Sequence, residues 1–343
     1  MALHDKIAQL LDGGVRDQVF PGAVWGMGDA DDLTDAGVCG LADPADPATA
    51  MQLDTVFDVA SLTKIVAVWA VIGSLWEEQR LSLDDAMAAL LPELADYPLG
   101  QVTVRQLLTH TAGVPLRANL RALYGTDPRA IEDGVLQEAL HQQPGQAVEY
   151  TDRAALILGF LAKRLTGTSL DRLAETRIWH PLGMRNTCFG PLPQSAAARC
   201  APTEYDEATG AHLKGVAHDY SARLLGGVCG IAGVFSVLSD LARFQQHLLA
   251  PGIAGPAGFG AAWIKESLQV HTGELTPPRG LFWYPADSAD DHVYVHYGFT
   301  GTGMWISPKG DRWAVLLTNK IHYSRKRGPL MDIRNAFRAL VFD

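Results

Sequence analysis

Residues 57–70 read Phe57-Asp58-Val59-Ala60-Ser61-Leu62-Thr63-Lys64-Ile65-Val66-Ala67-Val68-Trp69-Ala70. A polar start runs into a long apolar segment, in which Ser61 and Lys64 are the side chains with evident reactivity. Side chains three residues apart lie on one face of a helix. The stretch therefore predicts a buried helix with the serine in its first turn and the lysine about one turn later.

This pair of residue types suits nucleophilic catalysis. The unpaired N–H groups at a helix N-terminus favour an oxygen that must carry negative charge. A lysine in apolar surroundings loses hydration, so Lys64 should give up its proton more easily than a free lysine. The tetrad thus predicts a nucleophile, a base beside it and an oxyanion donor at the Ser61 N–H.

A structural alternative is an N-cap serine followed by a solvated lysine, which also gives an S-x-x-K pattern. Two observations favour catalysis. No second S-x-x-K occurs in the chain, and Lys64 is followed by the apolar run 65–72. A lysine buried in this way is rare without a function.

Length, composition and charge limit the class of protein. The chain has 343 residues, of which 48% are hydrophobic and 19% charged, as in a globular protein of one or two domains. The net charge of −10 argues against a nucleic-acid partner. No apolar run is expected to reach the length of a membrane span. The N-terminus predicts an amphipathic helix (Leu3, Ile7, Leu10, Leu11) and no signal peptide, which predicts a cytoplasmic protein.

The cysteines and histidines predict neither a metal site nor a cofactor. Cys39, Cys188, Cys200 and Cys229 form no C-x-x-C pair and are expected to be free, buried thiols. No histidine falls in an H-E-x-x-H pattern.

Strand patterns lie near both ends of the chain, with helical patterns between them. Residues 23–28 and 36–41 form one predicted hairpin, and 293–297, 303–307 and 312–319 are successive predicted strands. We expect an α+β fold: an antiparallel sheet domain built from both termini, residues 1–78 and 221–343, and a mainly helical insert, residues 79–220. A helix is predicted over 81–91 in that insert.

Three separated motifs resemble one family. Ser61-Leu62-Thr63-Lys64, Tyr150-Thr151-Asp152 and His296-Tyr297-Gly298 are similar, in order and spacing, to the motifs of the serine β-lactamase and penicillin-binding-protein superfamily. The nearest likeness is to its class C-like branch of esterases, D-peptidases and transacylases. It covers nearly the whole chain, including residues 107–113, 215–219, 232–236 and 296–302.

The resemblance implies a sheet flanked by helices, with the active site in a cleft between the sheet domain and the helical domain. It implies that Ser61 is the nucleophile and that Lys64 is its proton acceptor or electrostatic support. Tyr150 would pass a proton between nucleophile, leaving group and incoming water. The Phe299 backbone N–H would be the second oxyanion donor, and Gly298 would lie beside it in the substrate site.

Two departures from the family pattern bear on the substrate. Asp152 stands where asparagine is usual, and an ionised carboxylate can only accept hydrogen bonds. Near Lys64 it would hold that lysine protonated and favour Tyr150 as the base. His296 stands where lysine is common, and histidine is mostly neutral at pH 7. Both changes favour neutral esters or thioesters over β-lactams.

The leading hypothesis is a serine acyl-transfer enzyme that takes a small-molecule acyl donor and releases the acyl group to water, an alcohol or an amine. Alternatives are a D-amino-acid peptidase or weak β-lactamase, and a sensing protein that stays acylated. A Ser-His-Asp hydrolase using His110 or His218-Asp219 is disfavoured because the sequence has no G-x-S-x-G. Trp283 and Tyr284 could line an acyl pocket or belong to the core.

Overall fold

In the computed structural model, which describes residues 1–116, 119–251, 258–286 and 292–343, one antiparallel sheet joins both ends of the chain. The strands are Gly22–Gly28 (β1), Leu33–Gly40 (β2), Phe57–Asp58 (β3), Cys188–Phe189 (β4), Tyr205–Asp206 (β5), Ala211–His212 (β6), Val234–Ser236 (β7), Tyr284–Pro285 (β8), Tyr294–Tyr297 (β9), Gly303–Ser307 (β10) and Arg312–Thr318 (β11). The main sheet has the order β2-β1-β11-β10-β9-β8, and β3, β7 and β4 form a small second sheet. Strands from the two termini therefore share one sheet, and the predicted α+β class is confirmed. The domain limits at 78/79 and 220/221 stay a prediction.

Helices cover both faces of the main sheet and fill the middle of the chain. The α-helices are Leu3–Arg16 (α1), Ala70–Glu77 (α2), Met87–Leu90 (α3), Val104–Leu108 (α4), Leu120–Tyr124 (α5), Pro128–Leu136 (α6), Asp152–Thr166 (α7), Leu170–Ala174 (α8), Gln194–Ala198 (α9), Tyr220–Leu224 (α10), Leu238–Leu249 (α11), Ala261–Ser267 (α12) and Gly328–Phe342 (α13). Shorter 3-10 turns and π-helical segments join several of them.

Alternating side chains of the strands supply two separate cores. On one face of the sheet, Trp25 and Leu316 pack with α1 and α13, through residues such as Ile7 and Phe337. On the other face, neighbouring strand residues such as Val315 join a larger core with the helices. This alternation follows from the two-residue repeat of a β-strand. Directly after β9, Gly298 lies against Val59 and Ala60 of the Ser61 segment.

The predicted helix over 81–91 is mostly wrong, because only Met87–Leu90 is α-helical. Polar side chains hold the preceding residues in a turn. The Ser82 backbone N–H donates to Asp85 Oδ2 at 2.7 Å, and Asp84 pairs with Arg105 at 2.8 Å. Such local side-chain hydrogen bonds compete with helix formation.

The helical segment Ala60–Glu77 is long and apolar enough, by length and composition alone, to cross a membrane. The expectation that no apolar run reaches that length is therefore wrong. In the structure 83% of this segment is buried inside the molecule, as in the core helix of a folded domain. It carries Lys64 into the centre of the larger core.

Candidate active site

Ser61 lies in a short 3-10 turn, Ala60–Leu62, and not in the first turn of an α-helix as predicted. A π-helical segment, Lys64–Trp69, follows and leads into α2. Ala60 has a φ of +51°, a left-handed conformation that costs a non-glycine residue on the order of 1–3 kcal/mol. The surrounding structure holds this strained residue directly before the serine.

Three hydrogen bonds fix the backbone that precedes Ser61. The Ala60 N–H donates to Asp58 Oδ1 at 2.9 Å. Thr300 Oγ1 donates to the Asp58 carbonyl at 2.7 Å, and Thr302 Oγ1 donates to the Val59 carbonyl at 3.0 Å. Because both threonines belong to the turn between β9 and β10, this turn and the serine are positioned together.

The Lys64 ammonium is fully buried and has three oxygen partners. Its Nζ lies 2.8 Å from Ser61 Oγ, 2.9 Å from the Ile231 carbonyl and 2.8 Å from Asp152 Oδ1. Burial lowers the pKa of this lysine, but the charge of Asp152, with interactions from Tyr150, outweighs burial and raises the pKa. The expectation that apolar surroundings make Lys64 lose its proton easily is therefore wrong. The expectation that Asp152 holds it protonated agrees with this geometry.

Tyr150 lies two residues before α7, and its side chain lines the same cleft as Ser61. It is 41% exposed, and Lys64 Nζ is 5.5 Å from its ring centroid. The N-terminus of α7 is closed by Thr151, whose Oγ1 accepts from the Arg153 N–H at 3.1 Å. This cap places Tyr150 and Asp152 on either side of one fixed residue, so that both reach Lys64.

Two buried histidines flank Tyr150. The ring centroid of His110 lies 4.7 Å from that of Tyr150, and the ring centroid of His296 lies 6.3 Å away. Neither nitrogen of His296 has a hydrogen-bond partner among the described residues. Burial, followed by repulsion from Lys64 and Arg279, lowers the pKa of His296 well below its usual value. A neutral imidazole therefore stands where the family commonly has a lysine.

Gly298 brings the end of β9 into direct contact with the serine turn. A Cβ atom at this position would lie 2.5 Å from the Val59 carbonyl oxygen and 2.0 Å from Thr302 Oγ1. Only a glycine allows the backbone to approach so closely. Phe299, the next residue, lines the same cleft as Ser61. The role of its backbone N–H as the second oxyanion donor stays a prediction.

The structure does not place Trp283 at the site. Its side chain is fully buried and packs edge-on against Trp69, with ring centroids 6.1 Å apart. Trp283 is a core residue, so its expected role in an acyl pocket is wrong. Its neighbour Tyr284 does line the cleft.

The cleft that contains these groups has a volume of about 1010 Å³. Arginine and lysine outnumber aspartate and glutamate seven to three among its described lining residues, although the whole chain carries a net charge of −10. Sequence reasoning missed these cations. One of them, Arg279, lies over the Tyr284 ring at 4.3 Å and 6.0 Å from the Tyr150 ring centroid. Nothing in its local sequence indicates a site, since it follows a proline-containing loop.

His218 pairs with Asp58 and not with its neighbour Asp219. His218 Nδ1 and its backbone N–H both contact Asp58 Oδ2, at 2.9 and 2.8 Å. Asp219 instead caps α10 by accepting the Ala222 N–H. Burial lowers the pKa of His218, but the Asp58 charge and hydrogen bond raise it above the ordinary value. This buried pair supports the strained turn at Ala60.

We expect His218→Gln to reduce the free energy of unfolding by about 3 kcal/mol at pH 6, because it leaves Asp58 buried without a charged partner. The raised pKa of His218 gives stability that is complete below about pH 6.5 and is lost as the pH rises through the folded value. The difference between wild type and variant should therefore narrow between pH 6 and pH 9. Urea unfolding at both pH values measures it.

His180→Gln is the matched control, because the His180 side chain is 60% exposed. It should change stability little at either pH. A wild-type-to-H218Q difference that stays constant from pH 6 to pH 9 would show that His218 is not charged in the folded state. The lowered pKa of Asp58 acts only in acid, outside this range.

No group of three or more histidine, cysteine or acidic side chains suited to a metal ion is present in the part of the chain that the structure describes. The four cysteines are free; Cys200 and Cys229 are buried, while Cys39 and Cys188 are partly exposed. Burial raises the pKa of the Cys200 and Cys229 thiols to about 12. These thiols are therefore poor nucleophiles, and Ser61 remains the candidate with a base beside it.

The family match and the shared fold together indicate the fold of serine hydrolases and acyltransferases. A family model described as Beta-lactamase matches residues 7–335, and the chain belongs to that family. This confirms the resemblance to the serine β-lactamase and penicillin-binding-protein superfamily. A "Putative D-alanyl-D-alanine carboxypeptidase" of Escherichia coli (strain K12) is 32% identical over 304 residues, covering 78% of this chain and 70% of that protein.

Two solved structures show the same fold. "EstCE1, a hydrolase with promiscuous acyltransferase activity" has a TM-score of 0.76 at 21% identity, covering 98% of each chain. A class C β-lactamase from Rhodobacter sphaeroides has a TM-score of 0.76 at 22% identity, covering 98% of this chain and 100% of that one. Their shared architecture extends over enzymes with different acyl substrates, so fold alone does not select the substrate.

Proposed function

We propose that this protein is a serine acyl-transfer enzyme that forms a covalent acyl-Ser61 intermediate on an ester or thioester. The observation that carries the proposal is the 2.8 Å contact between Ser61 Oγ and a buried, protonated Lys64. A nucleophilic oxygen beside a fixed positive charge, at the base of a large cleft, is the arrangement that acyl transfer requires.

We give each group a role that fits this geometry. All three N–H bonds of the Lys64 ammonium have acceptors, so this lysine stabilises developing negative charge and does not take the serine proton. The Tyr150 oxygen, as a phenolate beside the Lys64 charge, accepts the proton of Ser61 Oγ as that oxygen bonds to the acyl carbon, and so becomes a hydroxyl. It donates a proton to the leaving oxygen or sulfur as that bond breaks. Water, an alcohol or an amine then reverses these steps and releases the acyl group.

Two side chains support an ester or thioester as the donor. Asp152 is ion-paired with Lys64 at 2.8 Å and has no amide N–H to offer to a peptide-like acyl side chain. His296 is neutral and adds no positive charge where a β-lactam carboxylate would need one. Both features make a donor with a neutral group at these positions the better fit.

A D-amino-acid peptidase is the second candidate function, and Arg279 is the observation that favours it. Its Nε and Nη1 atoms are buried without a hydrogen-bond partner among the described residues, and the side chain lines the cleft beside Tyr150. An arginine with unused donors suits a carboxylate, such as the C-terminus of a peptide. The curated relatives are named as putative D-alanyl-D-alanine carboxypeptidases.

We expect wild-type enzyme to hydrolyse p-nitrophenyl butyrate well past one equivalent of product, and faster than it cleaves nitrocefin or a D-Ala-D-Ala peptide. Steady-state rates on the three substrates test this. A burst that stops at one equivalent would instead indicate a sensing protein. Faster cleavage of the D-Ala-D-Ala peptide would indicate the peptidase.

Arg279→Gln separates the two functions further. If the enzyme is an esterase, this variant should keep its rate on p-nitrophenyl butyrate within a few-fold. If it is a peptidase, loss of a charge-assisted contact should lower kcat/KM for the D-Ala-D-Ala peptide by roughly tenfold to a hundredfold.

A further inference from the structure

Three cationic side chains surround the ring of Phe299 at one side of the cleft. Lys320 Nζ lies 5.2 Å from the ring centroid, and the guanidinium carbons of Arg325 and Arg327 lie 4.8 and 5.2 Å from it. We call Lys320, Arg325 and Arg327 the cation cluster. All three line the cleft together with Ser61.

The charge of the cation cluster is only partly balanced. Arg325 forms an ion pair with Glu204, whereas Lys320 and Arg327 have no ion pair among the described residues. Within the cluster and Glu204, three positive charges and one negative charge leave a surplus of two, and the neighbouring Arg334 adds to the positive charge of this part of the cleft. Burial, followed by repulsion from Arg334, Arg327 and Arg325, lowers the pKa of Lys320 to about 8.

The cluster belongs to one segment, residues 320–327, which joins β11 to α13 and packs against Phe299 in the turn between β9 and β10. Lys320 follows β11 and is almost fully buried, at 2% exposure. Arg325 and Arg327 lie in the turn before α13. The His218 ring also stacks on Phe299, with 5.9 Å between the ring centroids. The ring that these groups surround belongs to the residue whose backbone N–H is the expected oxyanion donor, so a ligand held here is close to the reacting acyl group.

We propose that the cation cluster binds a phosphate-class dianion carried either by the leaving group of the acyl donor or by the acyl acceptor. A dianion balances the surplus of two charges, whereas a single carboxylate leaves one unbalanced. The planar guanidinium groups also match the geometry of phosphate oxygens. This inference rests on the proposed acyl-transfer function and specifies one end of its substrate.

Binding is tested without turnover in the Ser61→Ala protein by isothermal titration with phenyl phosphate at about pH 7.5, where the phosphate is mostly dianionic. We expect phenyl phosphate to bind at least tenfold more tightly than benzoate. Arg327→Gln should weaken phenyl phosphate binding about tenfold. The double variant that also carries Lys320→Gln should weaken it further.

Lys326→Gln is the matched control, because it removes the same charge from the same turn but Lys326 does not line the cleft. It should leave phenyl phosphate binding unchanged at constant ionic strength. Three results would each overturn the proposal: Lys326→Gln weakens phenyl phosphate binding as much as Arg327→Gln does, benzoate binds more tightly than phenyl phosphate, or phenyl phosphate does not bind. The cations around Phe299 would then be a structural cation–π cluster.

Two pairs of reactants identify which substrate carries the phosphate. For the donor, 4-phosphooxyphenyl butyrate is compared with 4-methoxyphenyl butyrate. For the acceptor, glycerol 3-phosphate is compared with glycerol in butyryl transfer from p-nitrophenyl butyrate. The proposal is supported if the enzyme prefers the phosphorylated member of one pair by tenfold or more and if Arg327→Gln loses this preference. The pair that shows the preference tells whether the donor or the acceptor carries the phosphate. No preference in either pair contradicts it.

The two proposals fail in distinguishable ways. If acyl transfer is wrong, p-nitrophenyl butyrate is not turned over by wild type, yet phenyl phosphate still binds to the cation cluster. If the phosphate site is wrong, esters are turned over but the phosphate-dependent differences are missing.

Discussion

Ser61→Ala should lower kcat for p-nitrophenyl butyrate by several orders of magnitude, on the order of 10⁴–10⁶, because the covalent route is lost. A fluorophosphonate should label wild type at Ser61, as located by peptide mass spectrometry, and should not label the variant. Ser221→Ala is the matched control, since Ser221 also lines the cleft but has no lysine three residues later. An adduct on Ser221, or full activity in Ser61→Ala, would contradict the assignment of the nucleophile.

Lys64→Ala and Tyr150→Phe extend the same prediction. Each removes one member of a unit in which Lys64 touches Ser61 at 2.8 Å and also interacts with Tyr150. Their effects on kcat should therefore not add, and the double variant should be little slower than the slower single variant. Additive losses would mean that the two residues act in separate steps.

Gly298→Ala should lower kcat by about 10²–10³, the usual cost of losing one oxyanion donor. The added Cβ would meet the Val59 carbonyl oxygen at 2.5 Å, so the end of β9 must move away from the serine turn and take the Phe299 N–H with it. Esterase rates and the rate of fluorophosphonate labelling should fall together, since both pass through the same oxyanion position.

A Gly13→Ala variant is the control for this substitution, because a Cβ at Gly13 meets its nearest neighbour at an ordinary 3.7 Å. It should leave kcat unchanged. If Gly298→Ala keeps full activity while thermal unfolding shows it to be folded, the second oxyanion donor does not lie on this strand.

Local patterns in the sequence predicted what depends on neighbouring residues. The S-x-x-K spacing brings Ser61 and Lys64 together because side chains three residues apart share a face, whether the backbone is an α-helix or, as here, a 3-10 turn followed by a π-helical segment. The strand patterns near both termini, which also depend on neighbouring residues, predicted strands that the shared sheet contains.

Properties set by distant contacts could not be predicted in this way. The direction of the Lys64 pKa shift depends on Asp152 and Tyr150, whose distance from Lys64 is fixed only by folding. Adjacency in the sequence also does not identify the partner of His218. Asp219 follows this histidine, but its partner in the structure is Asp58. The burial of Trp283 likewise follows from its packing against Trp69, far away in sequence.

The sequence gives only part of the evidence for the cations that line the cleft. Three basic residues, Arg325, Lys326 and Arg327, are consecutive, which is visible in the sequence. Only the fold shows that the first and third face Phe299 while the second does not line the cleft. Arg279 has no such local signal.

The pairing of β1 with β11 has a consequence for how the protein is made. On a ribosome that adds about 5–20 residues per second, β1 emerges first and waits on the order of tens of seconds for its partner strand. During that time it can pair only with β2, so its apolar residues, including Val24 and Trp25, lack most of the sheet and of the two cores that bury them. The serine turn waits as well, because Thr300 and Thr302, which fix it, are synthesised late. Nascent chains should therefore stay inactive, and depend on chaperones to avoid aggregation, until the last strands have left the ribosomal tunnel.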